Sequence, residues 1–207
     1  MMRYTGPRNR IARREGVDLG LKTPGSKSHA SLLKKMNVLP GQHGVRGRRK
    51  MSEHSKQLRE KQKLRFTFGV TETQLKNYFK TSSRKKGNTG MLLSQLLERR
   101  LDNIVYRLGL VPTRAAARQL IAHKHIKVND TKMNVASYLV KVGDTISIAD
   151  KQTLKIPAVE AMLSKKDTLI PEWLETKGHA GKLIAQPSSE IVEKQINLRL
   201  VVEFYSK

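Results

Sequence analysis

The sequence predicts an α+β fold: a helix-rich, basic first domain, then a compact module of two helices and a small, bent antiparallel sheet. Three observations carry this. Apolar residues recur at helical spacing from Leu93 to Leu108, and again from Ala116 to Ile121. At His125 the period changes to two, with Ile126 and Val128 on one side and His125, Lys127 and Asn129 on the other. Ahead of both, residues 1–90 carry 23 basic and 5 acidic side chains, a net of +18, against +6 for the rest.

The 207-residue chain has a formal net charge of +24. Such a charge repels itself in the compact state, so an anionic partner is expected. Nucleic acid is the first candidate and an anionic membrane surface the second. The absence of cysteine excludes disulfides, cysteine zinc sites and thiol nucleophiles, and suits a reducing compartment. No apolar run approaches the roughly 18 residues of a membrane span. The Arg-rich start raises the question of a transit peptide, but Gly6, Pro7, Glu15 and Asp18 speak against an amphipathic targeting helix.

Residues 1–50 have scattered apolar positions and frequent glycines, and read as a basic extended arm. It is either a disordered tail or a segment that orders against phosphate. In "PGQHGVRGRRK" (40–50), glycines permit close backbone approach while Arg46, Arg48, Arg49 and Lys50 supply charge. Residues 52–66 read as a helix exposing Lys56, Arg59 and Lys63, with Lys61 near the same side. In "VTETQLKNYF", Thr71 and Gln74 form a capping box, and Val70 can pack on Leu75 as a hydrophobic staple. Tyr78 and Phe79 extend that apolar stripe, which reads as core in preference to a base-stacking platform. Residues 80–90 form a basic joint and the main candidate domain boundary.

Beyond it, residues 91–108 read as one continuous helix that stops at Gly109. Thr113 caps the next helix, whose three alanines imply a close helix contact. Arg114 and Arg118 share a side of it at i,i+4. Like charges there are mildly unfavourable, so a missing anion is expected beside them. "YLVKVGDTISI" reads as two short strands around Gly143–Asp144, with Val140, Val142, Ile146 and Ile148 inward. Residues 151–190 are less regular, with Trp173 and Leu174 as packing residues. "LRLVVEFY" (198–205) alternates and reads as a terminal strand or extended tail. The expected domains are therefore the arm over 1–50, a helical domain over 51–90 completed by about 175–207, and the module with its extension over 91–174.

Catalytic chemistry has little to stand on. There is no GxGxxG, Walker A or HExxH pattern. His123 and His125 share a side at strand spacing, but no third metal ligand accompanies them. No nucleophile–base pair can be named. No cofactor, metal site or catalytic residue is expected.

"RYTGP" (3–7), "RREG" (13–16), "PGQHG" (40–44), "QLREKQK" (57–63), "LLERRLDNIVYRLG" (96–109), "TRAAARQLIAHKHIKVN" (113–129), "GDTISI" (143–148) and "VEFYSK" (202–207) occur in order along the chain. Together they resemble the bacterial-type small-subunit ribosomal protein S4 family nearly end to end, in a cysteine-free form containing an S4-type RNA-binding module. The resemblance implies a primary binder of a multi-helix junction in the 5′ domain of 16S-type small-subunit rRNA, nucleating assembly. It also implies a place beside ribosomal protein S5, contacts with mRNA in the entrance region of its channel, and in some members autogenous translational repression. The location implied is a ribosome in the cytoplasm, with an organellar ribosome as the alternative. Many members carry an N-terminal zinc-binding cysteine cluster, which this chain lacks. Where the family pattern reads "HGHI", this chain has Lys124 for glycine, and its usual Asn-Gly turn is Asn129–Asp130.

RNA helices are read through shape, phosphates and 2′-hydroxyls. The candidate rRNA-binding residues follow from the charge and the resemblance together. In the arm and first domain they are Arg3, Arg8, Arg13, Arg14, Arg46, Arg48, Arg49, Lys50, Lys56, Arg59, Lys63, Lys85 and Lys86. In the module they are Arg99, Arg100, Arg107, Arg114, Arg118, His123, Lys124, His125 and Lys127. Reversing Arg114 and Arg118 to Glu should then weaken RNA binding while leaving the fold intact, since neither lies on the buried stripe. The competing readings are an RNA-modifying enzyme with an S4-type module, a regulatory RNA-binding module outside the ribosome, and a DNA-compacting protein. The first needs a catalytic domain for which residues 1–90 and 151–207 are too short.

Overall fold

The computed structural model describes residues 4–46, 50–164 and 169–206. The chain divides into two units, Met1–Ser94 with Ser189–Lys207, and Gln95–Ser188.

The first unit opens with α1 (Arg8–Glu15) and α2 (Lys27–Lys34), so the arm expected over residues 1–50 is in part helical. Local signals account for both helices. Pro7 precedes α1, and Gly16 closes it in the left-handed region at φ 71°. Ser26 caps α2 by accepting from the His29 N–H at 3.2 Å. The scattered apolar residues suffice for a small core, with Ile11, Ala12, Leu19 and Leu32 all buried.

α3 (Glu53–Phe68) and α4 (Glu72–Ser83) follow. The Thr71–Gln74 capping box is formed in both directions, at 3.3 and 3.1 Å. Val70 and Leu75 are buried as the staple requires. On α3 the inward face is Gln57, Lys61, Leu64 and Phe68, so Lys61 is buried where exposure was expected. Its ammonium donates to Glu72 Oε1 at 2.9 Å, which makes the burial tolerable.

α5 (Thr89–Glu98) and α6 (Leu101–Arg107) replace the single helix expected over 91–108. The break has a cause in the second unit: residues 136–140 dock on it. Leu101 N–H donates to Tyr138 O at 2.9 Å, and Val140 N–H donates to Arg99 O at 3.0 Å. Arg100 bridges Leu139 in extended backbone. Residues 138–142 are thereby diverted from the sheet, and Val142 is exposed, against expectation.

α7 (Arg114–Ala122) starts at Thr113, which accepts from the Ala116 N–H at 3.2 Å. It packs on α6 through Ala117, Leu120 and Ile121. β1 (Ile126–Val128), β2 (Thr131–Met133) and β3 (Thr145–Ile148) supply the expected sheet. α8 (Lys151–Leu154) and α9 (Pro157–Leu163) lead to a hairpin the sequence did not signal, β4 (Leu174–Lys177) and β5 (Ala180–Leu183). The sheet is antiparallel throughout, in the order β2-β1-β3-β5-β4. Its buried face meets α6 and α7 around Leu101, Ile104, Ile121, Ile126, Ile146, Trp173 and Leu183. Residues 174–183 therefore belong to the second unit, so the segment returning to the first starts later than the expected residue 175.

That returning segment holds α10 (Glu190–Glu193) and α11 (Leu198–Tyr205). The terminal strand expected over 198–205 is thus a helix. Leu198 and Val201 are the buried pair, three residues apart, and Asn197 caps the helix from the Arg199 and Leu200 N–H groups. Apolar side chains at six of its eight positions make the period ambiguous in sequence. α11 packs on α3 and α4. Tyr205 stacks on Phe79 at 4.9 Å and donates its hydroxyl to Glu72 Oε1 at 2.7 Å.

Candidate nucleic-acid interface

In the first unit, the candidate cations fall into three groups. Arg14, Lys56, Arg59 and Lys63 line one cleft of about 640 Å³, together with Leu39–Gly44. Arg59 reaches Glu15 at 3.1 Å, Lys56 reaches Glu53 at 2.6 Å, and Lys63 reaches Glu60 at 2.6 Å. Burial pushes the Glu15 carboxyl upward in pKa, opposed by Arg59, Lys63 and Arg14. Arg8 and Arg13 brace the chain itself: Arg8 donates to Leu21 O at 3.2 Å, and Arg13 to Val38 O and Leu39 O at 2.9 and 3.1 Å. Lys50, Lys85 and Lys86 are exposed and stand outside the cleft.

Arg3, Arg48 and Arg49 lie outside the described residues, and of Arg46 only the backbone is described, at the end of a short 3₁₀ turn, Gly44–Arg46. A Cβ at Gly44 would run into the Leu39 carbonyl, so that glycine serves a close approach within the chain.

In the second unit the arginines are organised by acidic residues the sequence reading passed over. Asp102, almost wholly buried, accepts from Arg100 Nη2 at 2.8 Å and from Arg118 Nε at 2.6 Å. Glu98, equally buried, accepts from Arg107 Nη2 at 2.7 Å and Nε at 3.2 Å. Asn103 links the groups: its amide donates to Glu98, and its oxygen accepts from Arg114 Nε at 2.8 Å. The Arg114 guanidinium lies over the Tyr106 ring, 4.4 Å from its centroid. Burial drives the Arg114 pKa downward, and Glu98 leads the charges that oppose it; the guanidinium remains charged.

This corrects the expectation of a missing anion beside Arg114 and Arg118. Arg118 has a carboxylate partner within the fold, and Arg114 is buried with a polar one. Arg100 is buried as well. Arg99 donates to Val140 O at 2.9 Å. The overlooked signal was "ERRLDN", in which Glu98 and Asp102 flank two arginines at i,i+4 spacing, and both carboxylates are buried in the structure.

His123 and Lys124 are exposed after α7, while His125 and Lys127 are half-buried. The His123 and His125 rings stack at 6.1 Å, and His125 Nδ1 lies 3.0 Å from Thr153 Oγ1. Among the described residues, no group of three His, Cys, Asp or Glu side chains is placed to hold a metal ion, and no helix is long and apolar enough to cross a membrane.

A basic helical unit followed by a two-helix module with a small sheet and an internal arginine–carboxylate cluster is the architecture of an S4-domain protein, and the family that it matches is one of structural ribosomal proteins. Residues 3–98 match the family "Ribosomal protein S4/S9 N-terminal domain", and residues 99–146 match the "S4 domain". The chain belongs to the bacterial-type small ribosomal subunit protein uS4 family. It is 43% identical over 210 residues to the small ribosomal subunit protein uS4 of Xanthomonas campestris pv. campestris (strain B100), and to that of Xanthomonas axonopodis pv. citri (strain 306). The same holds for Xanthomonas oryzae pv. oryzae (strain PXO99A), and in each case the whole of both chains is covered.

Proposed function

We propose that this protein is a primary rRNA binder of the small ribosomal subunit, gripping a multi-helix junction in the 5′ domain of 16S-type rRNA and nucleating subunit assembly. The observation that carries this is the net +18 over residues 1–90, combined with a family defined by the small ribosomal subunit. The cleft lined by Arg14, Lys56, Arg59 and Lys63 supports a phosphate-facing surface in the first unit. His123, Lys124 and Lys127, together with the partly exposed Arg107 and Arg118, support a second in the S4 domain. On this reading the protein resides in ribosomes of the cytoplasm, beside ribosomal protein S5, with cations contacting mRNA in the entrance region of its channel. The same surfaces would serve autogenous repression by binding a leader RNA.

The test is a binding titration against the 5′-domain junction of small-subunit rRNA, with excess competitor RNA, at several salt concentrations. The expected result is tight binding that survives competitor and falls steeply with salt. Equal affinity for every RNA would sink the junction assignment and leave only a basic surface.

A further inference from the structure

Glu98 and Asp102 are the wrong sign for a protein that holds RNA, yet both are buried in its second unit. Each takes up an arginine that also reaches the surface. Glu98 has 1% of its side chain exposed, and Arg107 has 18%. Asp102 has 1% exposed, and Arg118 has 23%. The Glu98–Arg107 contact is a two-point fork through Nε and Nη2, which fixes the guanidinium plane and turns the Nη1 edge away from the carboxylate. Arg118 is gripped by Nε at 2.6 Å. A free arginine loses much rotamer freedom on meeting a phosphate, and one already clamped loses less.

We propose that Glu98 and Asp102 are positioning residues for RNA binding: from beneath the surface they set the guanidinium groups of Arg107 and Arg118 toward RNA phosphates. This rests on the RNA-binding reading of the S4 domain given above. It has a counterintuitive consequence. Glu98→Gln adds one unit of net positive charge, which by long-range attraction alone would tighten RNA binding. Positioning demands the opposite.

The experiment uses the full chain and the 5′-domain rRNA junction. Glu98→Gln, Arg107→Gln and the double variant are titrated at several salt concentrations, and the active fraction of each is fixed by titration at RNA concentrations far above Kd. Glu98→Gln is expected to weaken binding roughly tenfold, the scale of one charge-assisted hydrogen bond. The slope of log K against log salt should become shallower by about 0.7–0.9, the value of one lost phosphate contact. The double variant should bind no more weakly than Arg107→Gln alone, because the carboxylate acts through that arginine. Asp102→Asn with Arg118→Gln repeats the cycle, and decides the matter if Glu98→Gln does not fold.

If the arginine variants weaken binding while the carboxylate variants do not, the positioning role is overturned and the RNA reading stands. A reduced active fraction with unchanged affinity and slope reduces the carboxylates to folding residues and overturns it equally. If neither Arg107→Gln nor Arg118→Gln alters affinity, this face does not meet RNA, and both readings of it fail together.

Discussion

Lys124 sits at φ 62°, between the end of α7 and the start of β1. A side chain in the left-handed region costs about 1–2 kcal/mol relative to glycine. Lys124→Gly should therefore raise stability by about 1 kcal/mol, read as a higher Tm of the full chain, while weakening RNA binding through loss of an exposed cation. Asn129 and Asp130 follow at φ 48° and 65°, the two consecutive left-handed residues that a two-residue hairpin of this kind requires. Arg114 behaves in the opposite way to the first expectation. Its charge is legible in the sequence, but its burial against Asn103, next to Glu98, is not. Arg114→Glu should cost about 3–5 kcal/mol, the scale for an uncompensated buried charge. Denaturant unfolding measures this, and a normal midpoint with weakened RNA binding would restore the surface-patch view.

Among the elements, α11 shows how tertiary packing settles a choice that pattern leaves open. "LRLVVEFY" satisfies alternation and helical spacing at once, and its β-branched and aromatic residues favour a strand. The Asn197 cap and the surfaces of α3 and α4 decide for the helix. Ending the chain after residue 197 should therefore strip hydrogen-exchange protection from α3 and α4 while leaving that of α6, α7 and β1 intact. Equal protection of α3 and α4 in the shortened chain would show that α11 is dispensable to the first unit. The α5–α6 break is the same lesson in reverse. Its local sequence continues a helix, and residues 136–140, distant in the same chain, pair with the backbone at the point of interruption.

At the scale of the whole molecule, the first unit is closed by residues far apart in the chain. Glu72 accepts from Lys61 and Tyr205, the latter 133 positions away. Burial alone would raise its pKa, but the hydrogen bonds from Lys61 and Tyr205 and the nearby Lys61 and Arg65 charges together hold it below the ordinary 4.5. The same closure pushes the Tyr205 pKa upward, through burial first and the Glu72 hydrogen bond second. A carboxylate with a depressed folded pKa adds stability above its unfolded value and loses it as pH falls through the folded one. Stability of the full chain should therefore decline as the pH drops below about 4.5. Glu72→Gln should flatten that decline, as followed by Tm against pH; an unchanged profile would remove Glu72 from the acid response.

By itself the sequence determined what depends on neighbours within a few residues. The capping box at Thr71–Gln74, the cap at Thr113, the change of period at His125, the turn at Asn129–Asp130 and the charge excess before residue 90 all rest on local spacing and composition. Only the tertiary structure decided which arginines are surface and which are framework. Their partners Glu98 and Asp102 stand up to 16 positions away and come within reach only when the chain folds back on itself. Periodicity reports which face of an element is apolar; it carries no information about the carboxylate that a distant turn brings beneath a buried guanidinium.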